Sequence, residues 1–460
     1  MATTINEFSI GRTVVLSFAG VIVLGCLLLM LPVSRNPDQQ AVSLVDALFT
    51  SASAVCVTGL AVRDTGTTFS LVGQGVILGL IQVGGLGFLT LSTLFLSSLQ
   101  GKKKNVSLPR RHLLEISYGS VDAVHPAQLL KSILLFTLLV EALGVVLLFC
   151  HFSQIKPWGD AFWNSLFHAI SAFCNAGFGL YPDSLMSFRG DLLVNFTIMG
   201  LIILGGIGFL VVADGVHYLR SRIQNKNATL SLHSRLVLQT TGILILVGTL
   251  AILLLEWGGS AMGSDPAAVF LESLFLSVTS RTAGFNTSDM ALLTAPTLFL
   301  VILLMAIGGS PGSTAGGMKT TTAAVCFAML LSKAMNRPKV ECLQRTIPED
   351  TVSKAMLVVT GYVLVILLGV FLLQITESGQ LPFNKAGSNL FFAHLFEVVS
   401  ALGTVGLSTG ITPDLTTPGK LVITLLMFVG RIGPLLVATT LVGHVAQIPY
   451  VYAEENVNIG

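Results

Sequence analysis

Four short apolar segments of this 460-residue chain each end in a glycine followed by a large apolar residue. They are Leu48–Leu60 (LFTSASAVCVTGL), Leu166–Phe178 (LFHAISAFCNAGF), Ser273–Phe285 (SLFLSVTSRTAGF) and Leu395–Leu407 (LFEVVSALGTVGL). Their glycines, Gly59, Gly177, Gly284 and Gly406, lie 118, 107 and 122 residues apart. No single motif constrains the fold as much as this recurrence. Four copies of one element arranged around one axis enclose a path along it.

Composition says what surrounds that axis. The chain is 53% hydrophobic and only 10% charged, far below the roughly 25% charged residues of soluble domains, and its mean hydropathy is +0.82. Long apolar runs lie near residues 13–33, 72–99, 127–151, 192–219, 234–257, 292–332, 353–375 and 417–446. Each reaches the roughly 20 residues needed to cross a hydrocarbon core. The glycine-ending segments fall inside successive pairs of these runs. Each has about a dozen apolar residues, too few to span, which is the length of a re-entrant helix. The predicted architecture is an all-α integral membrane protein. Its eight transmembrane helices form four helix–re-entrant pore loop–helix repeats with pseudo-fourfold symmetry.

The repeats read as 1–105 (pore loop near 46–62), 106–228 (near 161–180), 229–345 (near 267–287) and 346–446 (near 389–410), with a tail over 447–460. The first run is too long for a signal-peptide core and lacks a small-residue cleavage site. Glycine clusters recur in the second helix of each repeat: Gln82-Val-Gly-Gly-Leu-Gly-Phe88, Leu204-Gly-Gly-Ile-Gly-Phe209, Ile307-Gly-Gly-Ser-Pro-Gly312 and Val429-Gly-Arg-Ile-Gly-Pro434. Such clusters let helices approach closely or bend.

Loop charge sets the orientation. Lys102, Lys103, Lys104, Arg110 and Arg111, then Arg220, Arg222, Lys226 and Arg235, then Lys333, Arg337, Lys339 and Arg345 lie between repeats. The opposite side carries sparser cations (Arg35, Arg63, Lys156, Arg189, Arg281, Lys385, Lys420) mixed with acids. Positive loops stay inside, so both termini are expected in the cytoplasm of a multi-pass plasma-membrane protein, and the re-entrant segments enter from outside. A net charge of +2 without a basic tail gives no case for nucleic acid. Six cysteines without CxxC pairing and eight histidines without ligand spacing support neither a disulfide frame nor a zinc site.

An extended stretch at membrane depth must line a wet cavity, where carbonyls can replace the hydration shell of an alkali cation. Glycine permits the backbone angles and keeps side chains out of the lumen. The candidate oxygens belong to Val57, Thr58 and Gly59; Asn175, Ala176 and Gly177; Thr282, Ala283 and Gly284; and Thr404, Val405 and Gly406. No carboxylate sits in these triplets, which disfavours a divalent ion. Glu141 and Glu397 are intramembrane acids expected to form interhelical hydrogen bonds, with ion coupling as the other option, and Asp214 is expected near the cytoplasmic interface.

One run contradicts itself. Ile307–Lys319, IGGSPGSTAGGMK, is too rich in glycine, with a proline and two serines, to be a stable helix in lipid. It reads as an intramembrane loop exposed to the pore. Its likeness to a phosphate-binding GxxxxGK[ST] loop fails, because Met318 separates the glycine from Lys319 and no strand precedes it.

With CVTGL, CNAGF, RTAGFN and GTVGLSTG in the four loops, GGSPGSTAGGMK in the sixth run and GRIGP in the eighth, the whole chain resembles the Trk/Ktr/HKT superfamily of potassium transporters. It is nearest the bacterial Ktr-type membrane subunit, because the extra N-terminal helix pair of Trk-type subunits looks absent. The resemblance implies a potassium-translocating homodimer with one pore per protomer, K+ bound at the filter triplets, and cytosolic nucleotide-binding RCK regulatory subunits. It implies no covalent cofactor and no enzyme activity, and leaves Na+ open as an activator. Gly59 stands where sodium-preferring plant relatives carry serine, which favours potassium. The resemblance makes the intramembrane loop the gate: Gly308, Gly309, Ser310, Pro311, Gly312, Ser313, Thr314, Gly316, Gly317 and Lys319. Arg431, a charge deep in the eighth run, is expected to complete it, bonding carbonyls of the loop. The expected activity is conduction of K+ down its electrochemical gradient. The alternative is obligatory Na+- or H+-coupled symport.

Overall fold

A computed structural model describes residues 4–87, 126–225, 229–259, 262, 265–377 and 390–433. These residues fold as helices joined by short loops. The strands among them, β1 (Glu341–Cys342) and β2 (Arg345–Thr346), form one small antiparallel hairpin. A long helix, a short helix and a second helix follow one another four times. The first set is α1 (Thr4–Met30), α2 (Leu44–Cys56), the single turn α3 (Thr65–Thr68) and α4 (Leu71–Leu86). The second is α5 (Pro126–Phe152), α6 (Trp158–Phe173), α7 (Leu192–Ile207) and α8 (Phe209–Ile223). The third is α9 (Leu232–Leu255), α10 (Pro266–Thr279), α11 (Ala295–Ala306) and α12 (Thr320–Ala334). The fourth is α13 (Glu349–Glu377), α14 (Leu390–Gly403) and α15 (Thr417–Ile432).

The packing is that of a protein solvated by lipid. The short helices α2, α6, α10 and α14 are the most buried. Each places a fully buried phenylalanine at the same point of its segment: Phe49, Phe167, Phe275 and Phe396. The long helices wrap them and turn apolar faces outward, such as Leu138, Leu139 and Leu143 on α5 and Leu364, Leu367, Leu368 and Phe371 on α13. Among the described residues, Leu130–Phe152, α9 and α13 are long and apolar enough to span a bilayer.

The continuous helix expected over 192–219 is not continuous. It breaks at Gly208, where α7 and α8 meet at 96°. A glycine of the same backbone conformation ends α4 and α15. Gly87, Gly208 and Gly433 take φ of 77°, 92° and 96°, a left-handed backbone that glycine adopts without a Cβ penalty. Three residues earlier, Gly84, Gly205 and Gly430 lie directly on the carbonyls of Val55, Phe173 and Leu402 in the short helices, leaving no room for a side chain. The glycine clusters therefore bring each second helix onto a short helix and then end it. In the third set the interruption is longer: α11 stops at Ala306 and α12 begins at Thr320.

Two of the sparser cations are partnered within the fold, Arg281 in the turn after α10 and Lys420 in α15. Arg281 is 5% exposed and donates to the Thr241 carbonyl of α9 at 3.4 Å. Lys420 donates to Asp46 Oδ1 at 2.8 Å, while Arg63 reaches Asp46 Oδ2 at 3.1 Å. That ion pair ties α15, in the fourth set, to α2, in the first. Asp214 on α8 accepts from Ser231, the N-cap of α9, at 3.0 Å from the backbone and 2.9 Å from the hydroxyl. The basic residues Lys102, Lys103, Lys104, Arg110, Arg111, Lys226 and Lys385, the remainders of the second and eighth runs, the boundary at 105 and 106, and the tail 447–460 lie outside the described residues.

Candidate functional site

The short helices end in a common way. In α2, α6 and α14 the backbone N–H five residues on returns to Ser53, Ser171 and Ser400, with Thr58, Ala176 and Val405 donating at 2.8 Å in each case. This is the pattern that closes a helix with a left-handed residue, usually glycine. Here the left-handed residues are Val57, Asn175 and Thr404, with φ of 57°, 59° and 51°. Thr282 takes φ 71° in the third segment, which is one residue shorter and closes from Ala283 N to Thr279 O at 3.0 Å. Left-handed backbone at a β-branched residue costs roughly 1–2 kcal/mol, and such strain concentrates at functional sites. Two residues on, Gly59, Gly177, Gly284 and Gly406 are left-handed again, with φ of 94°, 71°, 82° and 93°.

The alternation turns each segment back toward its neighbours, and the four segments close a ring. Ala176 O sits where Gly59 would carry a Cβ, Ala283 O does so at Gly177, Val405 O at Gly284, and Thr58 O at Gly406. A Cβ on each glycine would lie 3.0, 2.9, 3.1 and 3.1 Å from the Cα of the next. The side chains of Val57, Thr58, Asn175, Ala176, Thr282, Ala283, Thr404 and Val405 are buried behind this ring. Hydroxyls hold the ring's backbone from behind. Ser53 and Ser400 accept from Gly59 N and Gly406 N at 3.1 Å, while Ser171 and Thr279 donate to Phe178 O at 2.7 Å and Phe285 O at 2.6 Å. A serine six residues before the glycine in three of four segments was visible in the sequence and marks this role.

Above the ring lies a cavity of about 560 Å³, lined by the four glycines and by Arg63, Asp64, Tyr181, Asp289, Ser408 and Thr412. The electrostatics favour a cation. Four helix C-termini converge on the ring, each carrying a partial negative charge. The buried hydroxyls of Thr58, Thr282 and Thr404 find no hydrogen-bond partner among the described residues.

Residues 307–319 lie beneath. The loop's neck is closed by Gly308 N on Met318 O at 2.7 Å and Thr320 N on Gly309 O at 3.0 Å. Its far side is stitched to the break between α7 and α8: Ser310 N to Gly206 O at 3.0 Å, Ser310 Oγ to Ile207 O, Thr314 N to Gly205 O at 3.2 Å, and Phe209 N to Gly312 O at 3.1 Å. Ser313 donates back to Ser310 O at 2.7 Å, Pro311 caps the turn between them, and Lys319 Nζ donates to Ala315 O at 2.8 Å. Gly308 abuts Thr282, Gly316 abuts Thr404 and Gly317 abuts Gly403, so the loop touches the ring's first residues from below. Arg431 donates to Thr314 O at 2.6 Å and to Gly84 O, joining the loop to the end of α4.

Glu397 accepts from Thr412 Oγ1 at 3.0 Å and from Ser408 Oγ, tying α14 to the loop beyond the ring. Glu256 and Glu377, which sequence reasoning passed over, cap α11 and α15: Thr294 Oγ1 donates to Glu256 at 2.8 Å, and Thr416 Oγ1 to Glu377 at 2.7 Å.

Apolar helices enclosing a carbonyl-flanked glycine ring, with helix C-termini aimed at it, define a membrane protein that carries cations. Over residues 10–447 the chain matches the family TrkH, described as a cation transport protein, and it belongs to that family. It is a transporter and not an enzyme. It is 40% identical over 431 residues to the Ktr system potassium uptake protein B of Bacillus subtilis (strain 168), covering 93% of this chain and 92% of that one. The protein of the same name from Vibrio alginolyticus is 39% identical over 431 residues, with coverage of 93% and 90%. The potassium/sodium uptake protein NtpJ of Enterococcus hirae is 35% identical over 442 residues, covering 95% and 94%. Among solved structures, the potassium transporter TrkH from Vibrio parahaemolyticus aligns with a TM-score of 0.71 at 20% identity, over 94% of this chain and 84% of that one. At that identity the likeness is one of fold.

Proposed function

We propose that this chain is the membrane subunit of a potassium uptake system, conducting K+ inward through the ring formed by residues 57–59, 175–177, 282–284 and 404–406. The observation that carries this reading is the closed order of the four segments, each placing a carbonyl on its neighbour's glycine. Carbonyls held by a strained, hydroxyl-buttressed backbone can replace a hydration shell, and none of the ring residues themselves carries a carboxylate to favour a divalent ion. The loop 307–319 with Arg431 is the gate: it lies under the ring, held by one hydrogen bond from Arg431 to Thr314 O and by those that tie it to the break between α7 and α8. Breaking those bonds is a smaller change than moving a helix.

The interior-negative potential supplies about 2.3 kcal/mol per charge for each 100 mV, so about 150 mV sustains a gradient of a few hundredfold at about 1.4 kcal/mol per factor of ten. Uptake on this scale needs no ATP hydrolysis by the chain. The relatives named as Ktr-system proteins support a partnership with other components of such a system; the family resemblance extends this reading to a cytosolic nucleotide-binding ring and a homodimer, and the loop charges to a plasma-membrane orientation with both termini inside.

A second reading is sodium- or proton-coupled symport, favoured by the potassium/sodium name of the Enterococcus hirae relative and by the buried carboxylates Glu141 and Glu397. Reversal potentials in liposomes with independently set K+ and Na+ gradients decide between them. A pore reverses at the potassium equilibrium potential whatever the sodium gradient. A reversal that moves with both ions in fixed proportion would overturn conduction in favour of symport.

A further inference from the structure

We propose that Glu141 is a specificity-determining positioning residue: through Gln82 and Cys174 it holds the second ring segment at the setting that passes potassium and rejects sodium. The inference rests on the reading of residues 175–177 as part of a potassium filter.

Glu141 sits mid-helix in α5 and is 4% exposed. A carboxylate at that depth is expensive and persists where it serves a polar path or partner. Its two oxygens each accept from the Gln82 side-chain amide of α4, at 3.1 and 3.1 Å. The Cys174 thiol reaches Gln82 Oε1 at 3.4 Å and Glu141 Oε1 at 3.9 Å, one proton shared between two acceptors. Cys174 is the last residue before the left-handed Asn175, so a shift of its side chain moves the segment directly. There is no slack behind it: a Cβ on Gly85 would lie 2.6 Å from the Cys174 sulfur. The carboxylate thus fixes an amide, the amide and carboxylate fix a thiol, and the thiol fixes the start of the segment.

The same turn is gripped from the gate side. Thr314 Oγ1 donates to Phe173 O, the residue before Cys174, at 3.1 Å. Arg431 joins Thr314 O to Gly84 O, two residues beyond Gln82. The contacts run in a closed circuit from Glu141 through Gln82, Gly84, Arg431, Thr314, Phe173 and Cys174 back to Glu141. Cys56, Arg281 and Gly403 occupy the place of Cys174 in the first, third and fourth segments; among the described residues it is Cys174, in the second, whose thiol meets Gln82 and Glu141.

The test uses the full chain in liposomes, with bi-ionic reversal potentials giving the K+/Na+ permeability ratio. Glu141→Gln keeps the shape and removes the charge. It is expected to lower that ratio about tenfold, the scale of one charge-assisted hydrogen bond, and Cys174→Ala should do the same. The exchange variant, Gln82→Glu with Glu141→Gln, restores a carboxylate–amide pair and should recover most of the ratio; a merely space-filling role would not produce that rescue. If Glu141→Gln fails to reach the membrane, the exchange variant alone decides. A wild-type ratio there supports the brace and a lowered ratio overturns it. Wild-type selectivity in Glu141→Gln also overturns it, while a parent protein that conducts no potassium overturns the pore reading instead.

Discussion

At the scale of single residues, the glycines divide into those that need their missing side chain and those that do not. Gly84, Gly205 and Gly430 each rest on a backbone carbonyl of a short helix, whereas Gly79 and Gly200, on α4 and α7, have open space where a Cβ would go. Alanine at any of the first three should destabilise the protein by about 1–3 kcal/mol, because backbone must move to admit it. Alanine at Gly79 or Gly200 should fall within about 0.5 kcal/mol of the parent. Thermal unfolding of the purified variants in detergent makes the comparison. Gly284→Ala combines two penalties, a φ of 82° and a Cβ 3.1 Å from Gly406 Cα. It should lower potassium selectivity, read from competition between K+ and Na+ uptake. These positions were half legible in sequence. The glycines were plain; the left-handed Val57, Thr282 and Thr404 were not, since β-branched residues disfavour that backbone and only the surrounding packing holds them there.

At the scale of elements, one arginine and one ion pair link parts of the chain that are remote in sequence. Arg431 bonds carbonyls on α4 and on the loop after α11. Arg431→Ala should raise potassium flux in the absence of any regulatory partner, and Arg431→Lys, with one point of charge in place of a two-pronged fork, should fall between. Flux equal to the parent in both would remove Arg431 from gating. Lys420→Met leaves buried Asp46 with Arg63 alone. The expected loss is about 1–3 kcal/mol, measured as a lower unfolding temperature, and Lys420→Arg should retain most of the stability. The break in α7 was misread as continuous helix for a physical reason. Gly205, Gly206 and Gly208 lie in an uninterrupted apolar run, and hydropathy does not distinguish a helix that bends from one that continues.

At the scale of the molecule, the proposed transport rests on a ring, a loop beneath it and a potential across both. Collapsing the membrane potential with a proton ionophore at fixed potassium gradient should reduce inward flux to what the chemical gradient alone drives. Flux that instead tracks an imposed pH difference at zero potential would argue for coupling. On the proposed reading, the fourfold pattern separates selectivity from control. All four segments share the ring geometry, and α4, α7 and α15 each end at a glycine of positive φ. Among the described residues it is the third set that inserts residues 307–319 and the fourth that carries an arginine beside them.

The membrane class and the recurrence of the four glycine-ending triplets were legible in sequence alone, because apolar run length and glycine spacing are local quantities. Tertiary structure decided what those triplets rest on. Arg431, which bonds the loop 307–319, also reaches Gly84, 347 residues away, and Glu141 meets Gln82 across two sets of helices. Which carbonyl an arginine finds, or which thiol a carboxylate holds, depends on how helices cross. No local pattern of side chains encodes that crossing; it is set by glycine clusters closing onto helix ends once all four sets have assembled.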